Sequence, residues 1–87
     1  MKISFSEMAW EEYVSWQSED KKTLKRINQL LQDIIRNGNK GIGKPERLRE
    51  DLSEYWSRRI DEKHRIVYRI VDTVIEVVQC KTHYSDK

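Results

Sequence analysis

The sequence predicts an α+β domain, with two N-terminal helices packed on a twisted antiparallel sheet in the order β-α-α-β-β-β. Three observations lead there. Leu24, Ile27, Leu31 and Ile34 recur at steps of three and four residues, the spacing of an amphipathic helix. Between residues 55 and 80 lie three segments dense in Ile, Val and Tyr, parted by short polar stretches that suit the turns of a meander. Between these regions sits NGNKGIGKPE, which holds all three glycines and the only proline.

Each element has its own signal. Lys2 to Phe5 alternates and reads as a short first strand. Ser6 is placed to cap a helix, with Glu7 adding negative charge to its first turn. Trp10, Tyr13, Val14 and Gln17, with Trp16 alongside, carry that helix to about Ser18. Asp20 caps a second helix, whose outer face holds Lys21, Lys22, Lys25 and Arg26 and which ends at Arg36-Asn37-Gly38. The glycine-rich stretch has no strand feeding it and no helix clearly following, so a nucleotide-binding fingerprint is rejected in favour of a functional connector. Tyr55–Ile60, His64–Val71 and Val74–Cys80 are the remaining strands, turning at Asp61-Glu62-Lys63 and Asp72-Thr73.

Length and composition bound the function. Eighty-seven residues make a single domain, 1–87. The mean hydropathy of −0.89 is that of a polar chain, but its apolar residues are periodic, which separates it from a disordered one. No run approaches the roughly 18 apolar residues of a membrane span, and MKISFSEMAW lacks a secretory apolar core, so no membrane partner is expected. One cysteine, Cys80, forms no internal disulfide, which points to a reducing, cytoplasmic setting. The net charge is only +2, but it is unevenly spread. Residues 1–20 hold one basic residue against five acidic ones, and residues 21–49 nine basic against two acidic. Arg58, Arg59, Lys63, Arg65 and Arg69 follow, against Asp61 and Glu62. Such a directed basic surface suits nucleic acid, with solvated element faces as the plainer account.

No His, Cys, Asp or Glu spacing forms a metal set, and no cofactor is implied. Cys80 lies in an apolar strand and reads as a small buried hydrophobe. His64, beside the turn, reads as structural. The arginines are less ordinary. If the hairpin turns through residues 61–63, Arg59 faces Arg65 and two guanidiniums oppose each other unless an anion lies between them. A two- or four-residue turn would put them on opposite faces, and the sequence leaves the register open. RNA cleavage without a metal needs a base for the 2′-hydroxyl, an acid for the leaving 5′-oxygen and cations for the phosphorane. Glu46 on the Gly/Pro loop, His83 at the strand end, and Arg59 with Arg65 meet that need. Lys44, Arg47 and Arg49 are placed to hold phosphates and Tyr84 to stack on a base. Singly, each of these is more often an ordinary surface residue; together they form a set.

"GKPERL", "WSRRIDEKHRIVYRI" and "CKTHY", with the early spacing of Trp10, Tyr13, Trp16, Gln17 and Asp20, resemble the YoeB toxins of the RelE/ParE superfamily over nearly the whole chain. The resemblance implies the small RelE-like fold and a ribosome-dependent endoribonuclease that cuts mRNA in the decoding A site. It implies a YefM-like antitoxin, contact with rRNA and self-association of the toxin. It makes Glu46 the general base, His83 the general acid and Arg65 the cation that stabilises the phosphorane. Arg59 becomes a phosphate contact and Tyr84 the aromatic after the acid. Where the family commonly has lysine this chain has Arg49, which keeps the charge but changes the donor geometry. Ser85, Asp86 and Lys87 extend the chain beyond the His-Tyr pair at which close relatives tend to stop. A ParE-like relative that binds DNA gyrase without cutting RNA is the competing reading, and Glu46, Arg65 and His83 together argue against it. A non-catalytic RNA-binding or repressor component is a third.

Overall fold

Strand β1 (Lys2–Phe5) leads at once into helix α1 (Glu7–Glu19), and the computed structural model describes this and all else through residue 82. Ser6 makes the transition: its backbone is extended and its hydroxyl oxygen accepts the Ala9 N–H at 3.1 Å. Asp20 is again extended and separates α1 from α2 (Lys21–Asn37), its carboxylate accepting the N–H groups of Lys22 and Thr23. Gly38, at φ +68°, ends α2 and donates its N–H to the Ile34 carbonyl. These boundaries follow the sequence reading to within a residue.

The sheet holds five strands in the order β1-β5-β4-β3-β2: β2 is Glu46–Arg47, β3 Trp56–Arg59, β4 Arg65–Val71 and β5 Val74–Gln79. Strands β2 to β5 pair antiparallel, and β3, β4 and β5 form the expected meander. The sheet is nevertheless mixed, because β1 runs parallel to β5, with Ile3 opposite Ile75 and Phe5 opposite Val77. A four-residue alternation signals a strand but carries no direction. The two-residue β2 and the 3₁₀ turn at Glu50–Leu52 stand where the sequence predicts only a connecting loop.

Register divides the sheet into two faces. Ile66, Tyr68, Ile75 and Val77, all fully buried, point to the helices and meet Ile27, Leu30 and Ile34 of α2 with Ala9 and Trp16 of α1. The other face carries Glu46, Ser57, Arg59, Arg65, Val67 and Arg69. Val67 would be the anomaly on an open face, but it is only 4% exposed because Leu48 and the following turn fold over it. Val78 is an extra residue where the β4–β5 register shifts, and it borders a hollow of about 240 Å³ with Leu48, Leu52, Tyr55, Val67 and Gln79.

Candidate functional site

Three antiparallel strands assemble the site on the sheet face away from the helices. Glu46 of β2 pairs with Ser57 of β3, Ser57 with Val67 of β4, and Arg59 of β3 with Arg65 of β4. Directly paired residues share a face, as do residues two apart on one strand, so Glu46, Arg59 and Arg65 project to the same side. Strand spacing and rise put the Glu46 and Arg65 Cα atoms roughly 12 Å apart along the sheet, a gap two long side chains and one phosphodiester can fill. Glu46 stands on a strand rather than on the loop the sequence suggested, and pairing with Ser57 is what fixes it.

The hairpin turns through residues 61–63, so the register that opposes Arg59 and Arg65 is the one the protein adopts. The Asp61 carboxylate accepts the N–H groups of Lys63 and His64 at 2.9 and 2.7 Å and shapes the turn. Nη1 of Arg65 donates to the carbonyls of Asp61 at 2.8 Å, His64 at 3.1 Å and Glu62 at 3.3 Å. That contact orients the guanidinium without neutralising it. Arg59 is exposed, and among the described residues neither arginine meets a carboxylate. The pair is therefore a concentration of positive charge that an anion would relieve.

Two other arginines drop out of the expected basic surface. Arg69 lies on the same face but is bonded to Glu76 at 2.7 Å and to Glu54, which hold its charge firmly in place and raise its pKa. Its guanidinium also lies over the Tyr55 ring, 5.2 Å from the centroid. Arg58 points the opposite way, is fully buried, and pairs with Asp33 on α2. Lys44 is exposed at φ +51° where the glycine-rich loop enters β2, and Arg49 is exposed just before the 3₁₀ turn. Arg47 is exposed and its Nε donates to the Ser53 carbonyl at 2.6 Å, which ties it to the local turn.

The far end of β5 reaches the site through its backbone. The Cys80 N–H donates to the Glu12 carboxylate at 2.8 Å, and the Cys80 carbonyl accepts the Trp16 indole N–H at 3.0 Å. Lys81 bonds Ser15 and Glu19, also on α1, and its ammonium lies 4.9 Å from the Trp16 ring centroid. The Thr82 carbonyl then accepts the backbone N–H of Arg65 at 3.3 Å. His83 and Tyr84 fall outside the described residues. Cys80 takes the structural place expected of it: burial pushes its thiol up to about 12, so it is protonated and unreactive at neutral pH. His64 packs edge-on against Trp16 with ring centroids 4.9 Å apart, again structural. Among the described residues no three His, Cys, Asp or Glu side chains lie close enough to share a metal ion.

Sequence reasoning did not identify Ser57, Leu48 or the hollow beside Val67, because these depend on which strand pairs with the short β2. A carboxylate, two guanidiniums that meet no carboxylate among the described residues and an apolar hollow on one exposed face make a surface suited to a phosphodiester with a flat apolar group attached.

The sequence profile for the "YoeB-like toxin of bacterial type II toxin-antitoxin system" matches residues 5–84. Toxin YoeB of Streptomyces coelicolor is 52% identical over 84 residues, 97% of this chain and all of that protein. A "YoeB/ParE toxin from Agrobacterium tumefaciens" superposes with a TM-score of 0.93 at 41% identity, covering 97% of this chain and all of that one. The Staphylococcus aureus YoeB, 49% identical over 97% of this chain and 98% of its own, has been solved as a dimer and as a heterotetrameric complex with YefM. The TM-scores of those two structures are 0.91 and 0.90.

Proposed function

The chain belongs to the YoeB-like toxins of bacterial type II toxin-antitoxin systems, and from that premise we propose that it cuts mRNA in the A site of the translating ribosome. Glu46 takes the proton from a ribose 2′-hydroxyl, whose oxygen attacks the adjacent phosphorus. Arg65, with Arg59 opposite, stabilises the charge of the resulting phosphorane. His83 gives a proton to the departing 5′-oxygen, and the products are a 2′,3′-cyclic phosphate and a 5′-hydroxyl. Lys44 and Arg49 hold flanking phosphates, and Tyr84 stacks on a base.

One observation carries this reading. The strand register sets Glu46, Arg59 and Arg65 on a single exposed face, with both guanidiniums free of carboxylates among the described residues. The bond between Arg65 and the Thr82 carbonyl supports His83 as the acid, since His83 is the next residue in the chain. The toxin acts in the cytoplasm, on ribosomes, and is held inactive by a YefM-like antitoxin. It self-associates as the S. aureus relative does.

The test is translation in vitro with the purified full-length chain, followed by mapping of mRNA 3′ ends. Cuts within A-site codons that end in a cyclic phosphate are expected. Glu46→Ala and His83→Ala should each slow cleavage by about 100-fold or more. Parent-rate cleavage by both variants would refute the assigned roles. A parent chain that cuts nothing on ribosomes but inhibits gyrase supercoiling would establish the ParE-like activity instead.

A further inference from the structure

Arg58, paired with Ile66, faces the helix side of the sheet, away from the site, and it is fully buried. Burying a guanidinium is costly unless every donor is used. Here all five are. Nε donates to the Tyr68 hydroxyl at 3.3 Å. Nη1 donates to the Asp33 carboxylate and to the Ile42 carbonyl at 3.1 Å. Nη2 donates to the carbonyls of Gly38 at 2.6 Å and Lys40 at 2.9 Å. Three alternate carbonyls of the loop that precedes β2 thus close on one side chain. Asp33 completes the arrangement by accepting the Ile42 N–H at 3.1 Å and the Asn37 side-chain amide at 2.7 Å.

The loop is fitted closely to this hub. A Cβ at Gly41 would sit 1.9 Å from the Asp33 carboxylate, and one at Gly43 2.7 Å from Leu30. Both glycines have positive φ, at +132° and +82°. Immediately after them the Gly43 carbonyl accepts the Arg59 N–H at 2.7 Å, and the chain then delivers Lys44 and Glu46 to the sheet. A bare structural need for a filled interior would be met by an apolar side chain. Only a planar five-donor fork collects three carbonyls and a carboxylate at once.

We infer that Arg58 is a positioning residue for the reaction: through the 38–43 loop it fixes where Lys44 and Glu46 stand relative to the Arg59–Arg65 pair. Nothing in it touches RNA; it acts from the other side of the sheet. The inference rests on the nuclease reading above. Uniform loosening of the fold would reduce activity in proportion to the folded fraction. Misplacing the base by a fraction of a strand spacing reduces turnover while leaving the docking surface intact.

The experiment compares the full-length parent with Arg58→Lys, which keeps the charge but loses the fork. Gly41→Ala serves as a second variant: it leaves residue 58 unchanged, but its Cβ would crowd the Asp33 carboxylate and come within 3.2 Å of Arg58 Nη1. Cleavage on mRNA-programmed ribosomes is measured for kcat and KM, with amide hydrogen exchange on the same samples. At least a tenfold fall in kcat is expected for each variant, with KM within about twofold. Exchange should rise in residues 38–46 and stay at the parent level in β4 and β5. If Arg58→Lys does not fold, Gly41→Ala alone decides by the same criteria. Parent kcat in a folded variant, or losses that track the folded fraction, would overturn the inference while leaving the nuclease reading intact. A parent that cuts nothing would remove both.

Discussion

Arg59 and Arg65 carry the same charge and face each other, but their removal has different consequences. Arg65 holds the carbonyls of Asp61, Glu62 and His64 around the turn, whereas Arg59 is exposed and among the described residues its guanidinium makes no hydrogen bond. Arg65→Ala should therefore lower both cleavage and stability, the latter by about 1 kcal/mol for the lost turn contacts. Arg59→Ala should slow cleavage by about 100-fold and leave urea unfolding within about 0.5 kcal/mol of the parent. Relief of the facing repulsion acts in the stabilising direction. Equal destabilisation by the two substitutions would contradict this division. At this scale the sequence was informative where chemistry is local. Asp61 as a turn residue, Ser6 and Asp20 as caps, and Cys80 as a buried thiol can be read from their immediate neighbours. Arg58 cannot: in sequence it is the twin of Arg59, and only strand alternation combined with the position of Asp33 on α2 sends one inward and the other to the surface.

Among the elements, α1 does more than cover the sheet. Glu12 and Trp16, one turn apart, take the N–H and the carbonyl of the same residue, Cys80, and Lys81 is bonded to Ser15 and Glu19 beside them. Trp16→Phe keeps most of the ring but leaves a buried carbonyl without its donor, so a loss of about 1–2 kcal/mol is expected in urea unfolding. If the alignment of Thr82 with Arg65 depends on this grip, cleavage should fall as well, at equal folded protein. Unchanged stability in the phenylalanine variant would show that the indole N–H contributes nothing. The periodic elements were legible because hydrophobic spacing reports helices and half-buried strands directly. β2 was not, since two residues have no period and their pairing with β3 spans an eight-residue separation bridged by the 3₁₀ turn. Nor was the parallel pairing of β1, which depends on where β5 arrives some seventy residues later.

For the whole molecule, charge is sorted by the two faces of the sheet, and each face makes its own prediction. On the helix side, Arg58 beside Asp33 holds that carboxyl below its usual range. A carboxyl with a lowered folded pKa stabilises above its unfolded pKa of about 3.9, and the contribution is lost as pH falls through the folded value. Unfolding free energy measured from pH 6 downward should decline more steeply in the parent than in Asp33→Asn, which has no proton to gain. At pH 7 the Asn variant should already be less stable, by about 3 kcal/mol, because a buried guanidinium has lost its counterion. On the open face, Arg59 and Arg65 meet no carboxylate among the described residues; under the proposed activity ribosome binding should weaken with salt, and Arg59→Ala should reduce the slope of log affinity against log salt by about one. The parallel pairing of β1 with β5 has a temporal consequence. Strand β1 finds its partner only in β5, made some seventy residues later, and the Arg65–Thr82 bond needs residues later still. A chain still being synthesised has an incomplete sheet and an unfinished site. Under the proposed activity, a ribosome still making this chain meets no complete site until residue 82 has emerged from it.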